Sequence, residues 1–270
     1  MNKTIKRSTS YHAQALTRGL EILSYLGDSP NKFESLHTLH EVSNLPKSTL
    51  IRLLTVLEQN KYVRKVDQNN YRIGSAVVGL AETYQRNTGV IEISSPYLSS
   101  LARIYGHTAE IGILEDSRVH IINRQIPNRK LRFESKVGSK LPCHCTAQGK
   151  ILLAGISENR SFDVLMASSP FESFTTHTLM APEEIMADVV RSKDRGYAIN
   201  CEEFHKGVCA IAVPIRNSKS CRAWKAAISF TGPTAEITGL QKNEIVDALN
   251  ESARSLSNDW DFKTAIETVY

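Results

Sequence analysis

Asn44-Leu45-Pro46-Lys47-Ser48-Thr49-Leu50-Ile51-Arg52-Leu53-Leu54 is the stretch that decides the fold. Leu50, Leu53 and Leu54, continued by Leu57, recur at helical spacing and predict one buried stripe. Lys47, Ser48, Thr49 and Arg52 then fall near the start of that helix or on its opposite side. Pro46 suits a helix's first turn, where its missing N–H would have no partner anyway. Ser43-Asn44 predicts a tight turn, since Asn enters the left-handed region at low cost. Ahead of the turn, residues 33–42 predict a second helix with Leu36, Leu39 and Val42 inward. Further upstream, residues 13–26 predict a first helix whose apolar face is Leu16, Leu20, Leu23 and Leu26, joined by Gly19 and Ile22. Gly27-Asp28-Ser29-Pro30-Asn31 stops it.

Downstream, Asn60 ends the third helix, and Lys61-Tyr62-Val63-Arg64-Lys65-Val66 alternates in the manner of a strand. Asp67-Gln68-Asn69-Asn70 is a polar turn, and Tyr71-Arg72-Ile73 a second strand. Helix, turn, helix and two-stranded ribbon together predict a winged helix-turn-helix, a shape that places one helix in the major groove of DNA. Lys47, Ser48, Thr49 and Arg52 are the candidate groove contacts; Arg64, Lys65 and Arg72 on the ribbon are candidates for phosphates or the minor groove. A generic three-helix fragment carries the same apolar pattern. Turn, cap, ribbon and charge agree only on the DNA reading.

The charge distribution supports it. Net charge is +5, and residues 1–75 hold 11 Lys/Arg against 6 Asp/Glu, whereas residues 76–270 hold 22 of each. A basic head on a neutral body is what attraction to phosphate requires. At 270 residues, 41% hydrophobic and 23% charged, the chain has the composition of a two-domain globular protein. It has no apolar run near the roughly 18 residues that span a bilayer. Met1-Asn2-Lys3-Thr4-Ile5-Lys6-Arg7-Ser8 is polar and has no signal-peptide core behind it. The expectation is a cytoplasmic protein, away from membranes, whose five cysteines are reduced.

Residues 1–75 are read as the winged helix-turn-helix, 76–89 as a linker helix, and 90–270 as a second, larger domain. In that last segment Ser95-Pro96 predicts a helix start, and Gly106 its end. Residues 108–114 and 118–125 read as strands around Glu115-Asp116-Ser117. Residues 208–216 and 222–231 do so around Asn217-Ser218-Lys219-Ser220. Helices are expected near 146–153, 182–195 and 241–258. Paired strands with segregated helices predict an α+β domain on an antiparallel sheet.

These residues resemble the isocitrate lyase regulator (IclR) family of bacterial transcription regulators. In the head the resemblance rests on Leu16-Thr17-Arg18-Gly19-Leu20-Glu21-Ile22-Leu23, Leu45-Pro46-Lys47-Ser48-Thr49, Arg52-Leu53-Leu54 and Tyr62-Val63-Arg64. In the body it rests on Val137-Gly138-Ser139-Lys140-Leu141-Pro142, Thr146-Ala147-Gln148-Gly149-Lys150, Glu202-Glu203 and Ala227-Ile228-Ser229-Phe230-Thr231-Gly232-Pro233. Two positions depart from the family pattern: His40 stands where a small Ala is usual, and Asn44 where a turn Gly is usual.

The resemblance implies a GAF-like ligand-sensing body and a homodimer or tetramer that reads an inverted-repeat operator in double-stranded DNA. It also implies a repressor, modulated by a small organic acid or aromatic metabolite. Its effector positions fall on Ala147, Gln148, Asn200, Ala210, Ser229 and Thr231. Ser229 and Thr231, two apart on a strand, share one face. A helix start near Thr146 offers amides to a carboxylate. The family's small-acid pattern has Asp where this chain has Asn200 and Cys where it has Ala210, which implies a different ligand.

Two sharper ideas concern cysteine and histidine. Cys143-His144-Cys145, and Cys201, His205 and Cys209 at four-residue spacing, are residue types that zinc favours. The second set is spaced for a helix in a region that reads as loop and strand, and paired C-x-x-C spacing is missing. No metal or other cofactor is therefore expected. A Cys–His nucleophile would make the chain a small-molecule enzyme docked by its N-terminal domain. No third group orients such a pair in the sequence, and no Gly-rich phosphate loop or GxSxG elbow appears. A non-enzymatic regulator is the reading taken.

Overall fold

The computed structural model describes residues 13–129, 136–217, 220–239 and 241–267. The polar start of the chain and part of the expected turn at 217–220 lie outside them. Contacts divide the chain into two compact units, Met1–Asn87 and Thr88–Tyr270.

The first unit runs α1 (Gln14–Asp28), β1 (Glu34–Ser35), α2 (Leu36–Ser43), α3 (Lys47–Gln59), β2 (Val63–Lys65), β3 (Asn70–Ile73) and α4 (Ala76–Thr88). Its core is Ile22, Leu26, Leu39, Leu45, Leu50, Leu54, Val63 and Tyr71. Leu53 and Leu57 pack half-buried at the edge of that core. Asn44 adopts φ 52, ψ 29, the left-handed conformation the turn demands.

Three expectations need correction here. The second helix begins at Leu36, three residues late, because residues 34–35 form a short strand on β3. Ser35 caps the helix by accepting the Thr38 amide at 3.0 Å. Glu34 is buried beside it, bonded by the Ser29 hydroxyl and by the Asn31 amide at 2.9 Å. In α1 the stripe runs through Gly19, Ile22 and Leu26, leaving Leu16 and Leu20 63% and 54% exposed. Val42, expected to face inward, is 51% exposed. The half-buried His40 ring donates through Nδ1 to the Leu45 carbonyl at 2.6 Å and so braces the turn.

The second unit contains α5 (Val90–Tyr105), β4 (Thr108–Glu115), β5 (Arg118–Gln125), β6 (Lys140–Pro142), α6 (Ala147–Ala154), α7 (Glu158–Met166) and α8 (Pro182–Arg195). It continues with β7 (Ala198–Cys201), β8 (Val208–Asn217), β9 (Ser220–Pro233), α9 (Thr234–Ile237) and α10 (Lys242–Glu267). The strands form one antiparallel sheet, ordered β6-β5-β4-β9-β8-β7. One face, with Ile111, Ile211, Val213, Ile228 and Phe230, packs on α5 and α10. The other, with Ala198, Ala212 and Ala227, packs on α6 and α8. Sequence reading missed β6, α7, β7 and α9. It also started α5 too late: Pro96 lies inside the helix, with Ser95 and Asn123 bonding the Ile91 carbonyl nearby.

Leu50 is fully buried in the small N-terminal core, and Leu53 only half-buried. Leu50→Ala should destabilise this unit by about 2–5 kcal/mol and Leu53→Ala by clearly less. Thermal unfolding of the two variants checks the stripe; equal losses would contradict it.

Candidate DNA interface and ligand site

Helix α3 presents two faces of opposite character. Leu50 and Leu54 are buried, while Lys47, Ser48, Ile51, Arg52, Thr55 and Val56 are exposed and Thr49 is half-buried. Among the described residues neither Lys47 nor Arg52 has a carboxylate within ion-pairing distance. The N-terminal half of the helix is thus an unneutralised cationic surface, the part that meets base edges in this motif. Ile51 and Thr55 extend it and were not singled out in the sequence; their helical spacing from Lys47 and Arg52 was the available signal.

On the ribbon, register separates the three expected cations. Arg64 stands directly opposite Arg72. Both are exposed on the outer side. Lys65 stands opposite Tyr71 on the other side, its ammonium 5.8 Å from the ring centroid. Two like charges facing each other across a hairpin repel by a few tenths to about 1 kcal/mol. A phosphate between them would remove that repulsion. The tip is held by Asp67, which accepts from the amides of Asn69 and Asn70 at 2.9 and 3.0 Å.

In the second unit the register gathers the expected ligand positions on one sheet face. Asn200, Ala210, Thr231 and Thr108 form one row across β7, β8, β9 and β4; Ala198, Ala212, Ser229 and Glu110 form the next. The side-chain amide of Gln148 bridges α6 to the second row, donating to Ser229 Oγ at 2.9 Å and the Glu110 carbonyl at 3.3 Å. Asn200 Oδ1 accepts from the Glu203 amide at 3.0 Å. Ala147, Gln148, Asn200 and Ser229 are buried, Ala210 and Thr231 partly so.

Two glycines permit this closeness. A Cβ on Gly112 would meet Gln148 Oε1 at 2.4 Å, and one on Gly149 would meet the Cys143 backbone at 2.4 Å. At the start of α6, Thr146 takes the Gly149 amide with its own hydroxyl at 3.2 Å, so one of the expected anion-binding amides is already occupied.

Lys150, missed in the sequence, lies under this surface. It is fully buried on α6, with Nζ 2.7 Å from Asp188 and 2.5 Å from Glu203. One ammonium cannot neutralise two carboxylates, and the two respond differently. Burial opposes ionisation of Asp188, but Lys150, Arg191 and Arg195 together hold its carboxyl below the ordinary range. Burial pushes Glu203 above that range, with Lys150 pulling back and Asp188 adding repulsion. Oε2 of Glu203 has no hydrogen-bond partner.

Burial pushes the Cys143 thiol up to about 12 and raises Cys145 as well, the reverse of what a nucleophile needs. His144 stacks on Phe171 and Phe174 at centroid distances of 5.0 and 6.2 Å. Cys201 and Cys209 face each other across β7 and β8, and His205 sits in the intervening loop against Phe204. Among the described residues no three His, Cys, Asp or Glu groups could hold a metal ion, and no helix is long and apolar enough to cross a membrane.

A cationic winged helix-turn-helix joined to an antiparallel-sheet domain defines a DNA-binding transcription regulator. Residues 15–67 match the IclR helix-turn-helix domain, and residues 82–258 match the C-terminal domain of bacterial transcriptional regulator IclR. The chain belongs to the IclR family of bacterial transcriptional regulators. It is 29% identical over 247 residues to the transcriptional repressor IclR of Escherichia coli K12, covering 90% of this chain and 89% of that one. The repressor AllR of the same strain is 28% identical over 246 residues, 91% and 89% of the two chains. An IclR regulator from Alicyclobacillus acidocaldarius superposes with TM-score 0.79 at 25% identity, over 93% and 100% of the chains. A homologue from Microbacterium hydrocarbonoxydans, solved with 4-hydroxybenzoate, shares the fold with TM-score 0.76 at 19% identity, over 91% and 98%.

The buried cluster has a definite pH signature. Glu203, raised, stabilises the fold below its unfolded value of 4.5, a contribution lost as pH rises through its higher folded value. Asp188, lowered, contributes above its unfolded value of 3.8, and that is lost as pH falls. Glu203→Gln should therefore flatten the decline in melting temperature between about pH 4.5 and neutrality. Lys150→Ala, which takes the cation from buried Glu203 and leaves Asp188 to Arg191, should cost about 3–5 kcal/mol at neutral pH. Identical melting profiles for wild type and Glu203→Gln would contradict this assignment.

Proposed function

We propose that the chain is a ligand-responsive repressor that binds an inverted-repeat operator as a homodimer or tetramer. The observation that carries this reading is the outward cationic face of α3, with Lys47, Ser48 and Arg52 exposed over a seam of buried leucines. Two such helices related by two-fold symmetry read two half-sites about one helical turn apart. The names of the relatives support repression over activation.

The proposed effector is a small organic acid or aromatic metabolite, held between α6 and the sheet by Gln148, Asn200, Ser229 and Thr231 beside Ala147 and Ala210. Amide and hydroxyl groups dominate this set, which suits hydrogen bonding more than strong ion pairing. Release from DNA requires that the effector bind two arrangements of the heads unequally. The raised Cys143 and Cys145 thiols weigh against a nucleophile at those two positions.

Operator binding measured across a salt series tests the assignment. Arg52→Ala should cost about 1–3 kcal/mol and relax sequence preference if Arg52 reads a base. Arg64→Ala and Arg72→Ala should each lower the salt slope by about 1, with sequence preference kept. Unchanged affinity for Arg52→Ala and unchanged slopes for both ribbon variants would contradict the interface. Separately, a carboxylate or aromatic acid that binds the folded body must raise its melting temperature. Ser229→Ala and Asn200→Ala should abolish that rise; a rise untouched by both would move the ligand elsewhere.

A further inference from the structure

Cys201 and Cys209 stand directly opposite each other on the antiparallel strands β7 and β8. The Glu202 amide donates to the Val208 carbonyl at 2.8 Å, a bond of the kind that flanks a non-hydrogen-bonded pair at 201 and 209. In such a pair the Cα atoms lie about 4.5 Å apart, with the side chains at closest approach. A disulfide requires a Cα separation of roughly 4.4–6.8 Å. Both thiols are free, and both project toward the sheet face packed by α5 and α10.

The two differ in a useful way. Cys209 is fully buried, whereas Cys201 is partly exposed. The Cys209 thiol donates a hydrogen bond to Cys201, which holds Cys201 below the usual thiol range against burial and the Glu203 charge. Burial and the same bond raise Cys209. An accessible, more acidic thiol beside a protected partner is the arrangement of an attacking and a resolving cysteine.

We infer that Cys201 and Cys209 form a redox-active dithiol that an oxidant of the peroxide class closes to a cross-strand disulfide within one chain. The Cys201 thiol gives up its proton, its thiolate attacks one oxygen of hydrogen peroxide, and the O–O bond breaks to leave a sulfenic acid and hydroxide, which takes that proton as water. Cys209 sulfur then attacks Cys201 sulfur; the S–O bond breaks, and the departing hydroxide takes the Cys209 proton as a second water. Two electrons leave the thiols and reduce the peroxide. The inference does not rest on the DNA-binding reading. Its local consequence is at Asn200 and Ala210, the chain neighbours of the two cysteines, which face the opposite side of the sheet.

Trypsin cuts after Lys206, between the cysteines, so a bridge leaves two linked peptides. Full-length protein treated with hydrogen peroxide, alkylated under denaturing conditions and digested, should yield the Cys201–Cys209 linked pair, and dithiothreitol should dissolve it. In Cys209→Ser, Cys201 should instead accumulate a sulfenic acid trapped by dimedone. In Cys201→Ser, Cys209 should stay alkylatable at the same dose. Full alkylation of both cysteines in peroxide-treated wild type, or a bridge that joins either one to a different cysteine, would overturn the inference.

Discussion

Burial of Leu50 and Leu54 against Ile22, Leu26 and Leu39 is the constraint on which the N-terminal unit depends. A helix turns about 100° per residue, so fixing two leucines in a core fixes the direction of every other side chain. Lys47, Ser48 and Arg52 project outward because Leu50 and Leu54 cannot. The turn before the helix must then reverse within three residues, which Asn44 accomplishes in the left-handed region while His40 bonds the Leu45 carbonyl. No extra device is needed to build a cationic surface, since apolar burial on one side creates it on the other.

The body uses the same economy with a sheet. Alternate residues of β8 and β9 face opposite layers, so Ile211, Val213, Ile228 and Phe230 can fill one core while Asn200, Ala210, Ser229 and Thr231 collect opposite α6. The polar face has its own anchor in Lys150, which links α6 to α8 through Asp188 and to the loop after β7 through Glu203. Buried ion pairs stabilise less than their geometry suggests, because desolvation opposes the Coulomb gain. Their strength here lies in the cost of breaking them, which ties α6 to α8 and to the loop after β7.

Much of the head was legible in the sequence because leucine spacing, Asn44, Pro46 and the ribbon's alternation all describe local structure. What stayed hidden depended on partners distant in the chain. Glu34 and Ser35 form a strand only because Tyr71 and Asn70 lie alongside them, and no local pattern announces two polar residues as a strand. Leu16 and Leu20 fit a helical stripe equally well, and only the packing of Ile22 and Leu26 chose between stripes. Pro96 signalled a helix start, yet α5 begins at Val90 and carries Pro96 inside it, with Asn123 of β5 bonding the Ile91 carbonyl across the fold. In the body, the site residues came from resemblance and not from periodicity. Lys150 had one signal of its own, a lone cation in the otherwise uncharged stretch 147–154. Cys201 and Cys209, spaced as two helical turns, are instead brought face to face by a reversal at Gly207, whose φ of 75 suits only glycine at low cost.

The most direct test of the account is binding of the purified full-length protein to fragmented genomic DNA of its own host at low ionic strength, followed by footprinting of what is retained. The account predicts retention of a few fragments, each protected over an inverted repeat with half-sites about one helical turn apart, and loss of binding as salt rises. Failure to retain any fragment at low salt, with and without small metabolites present, would contradict it.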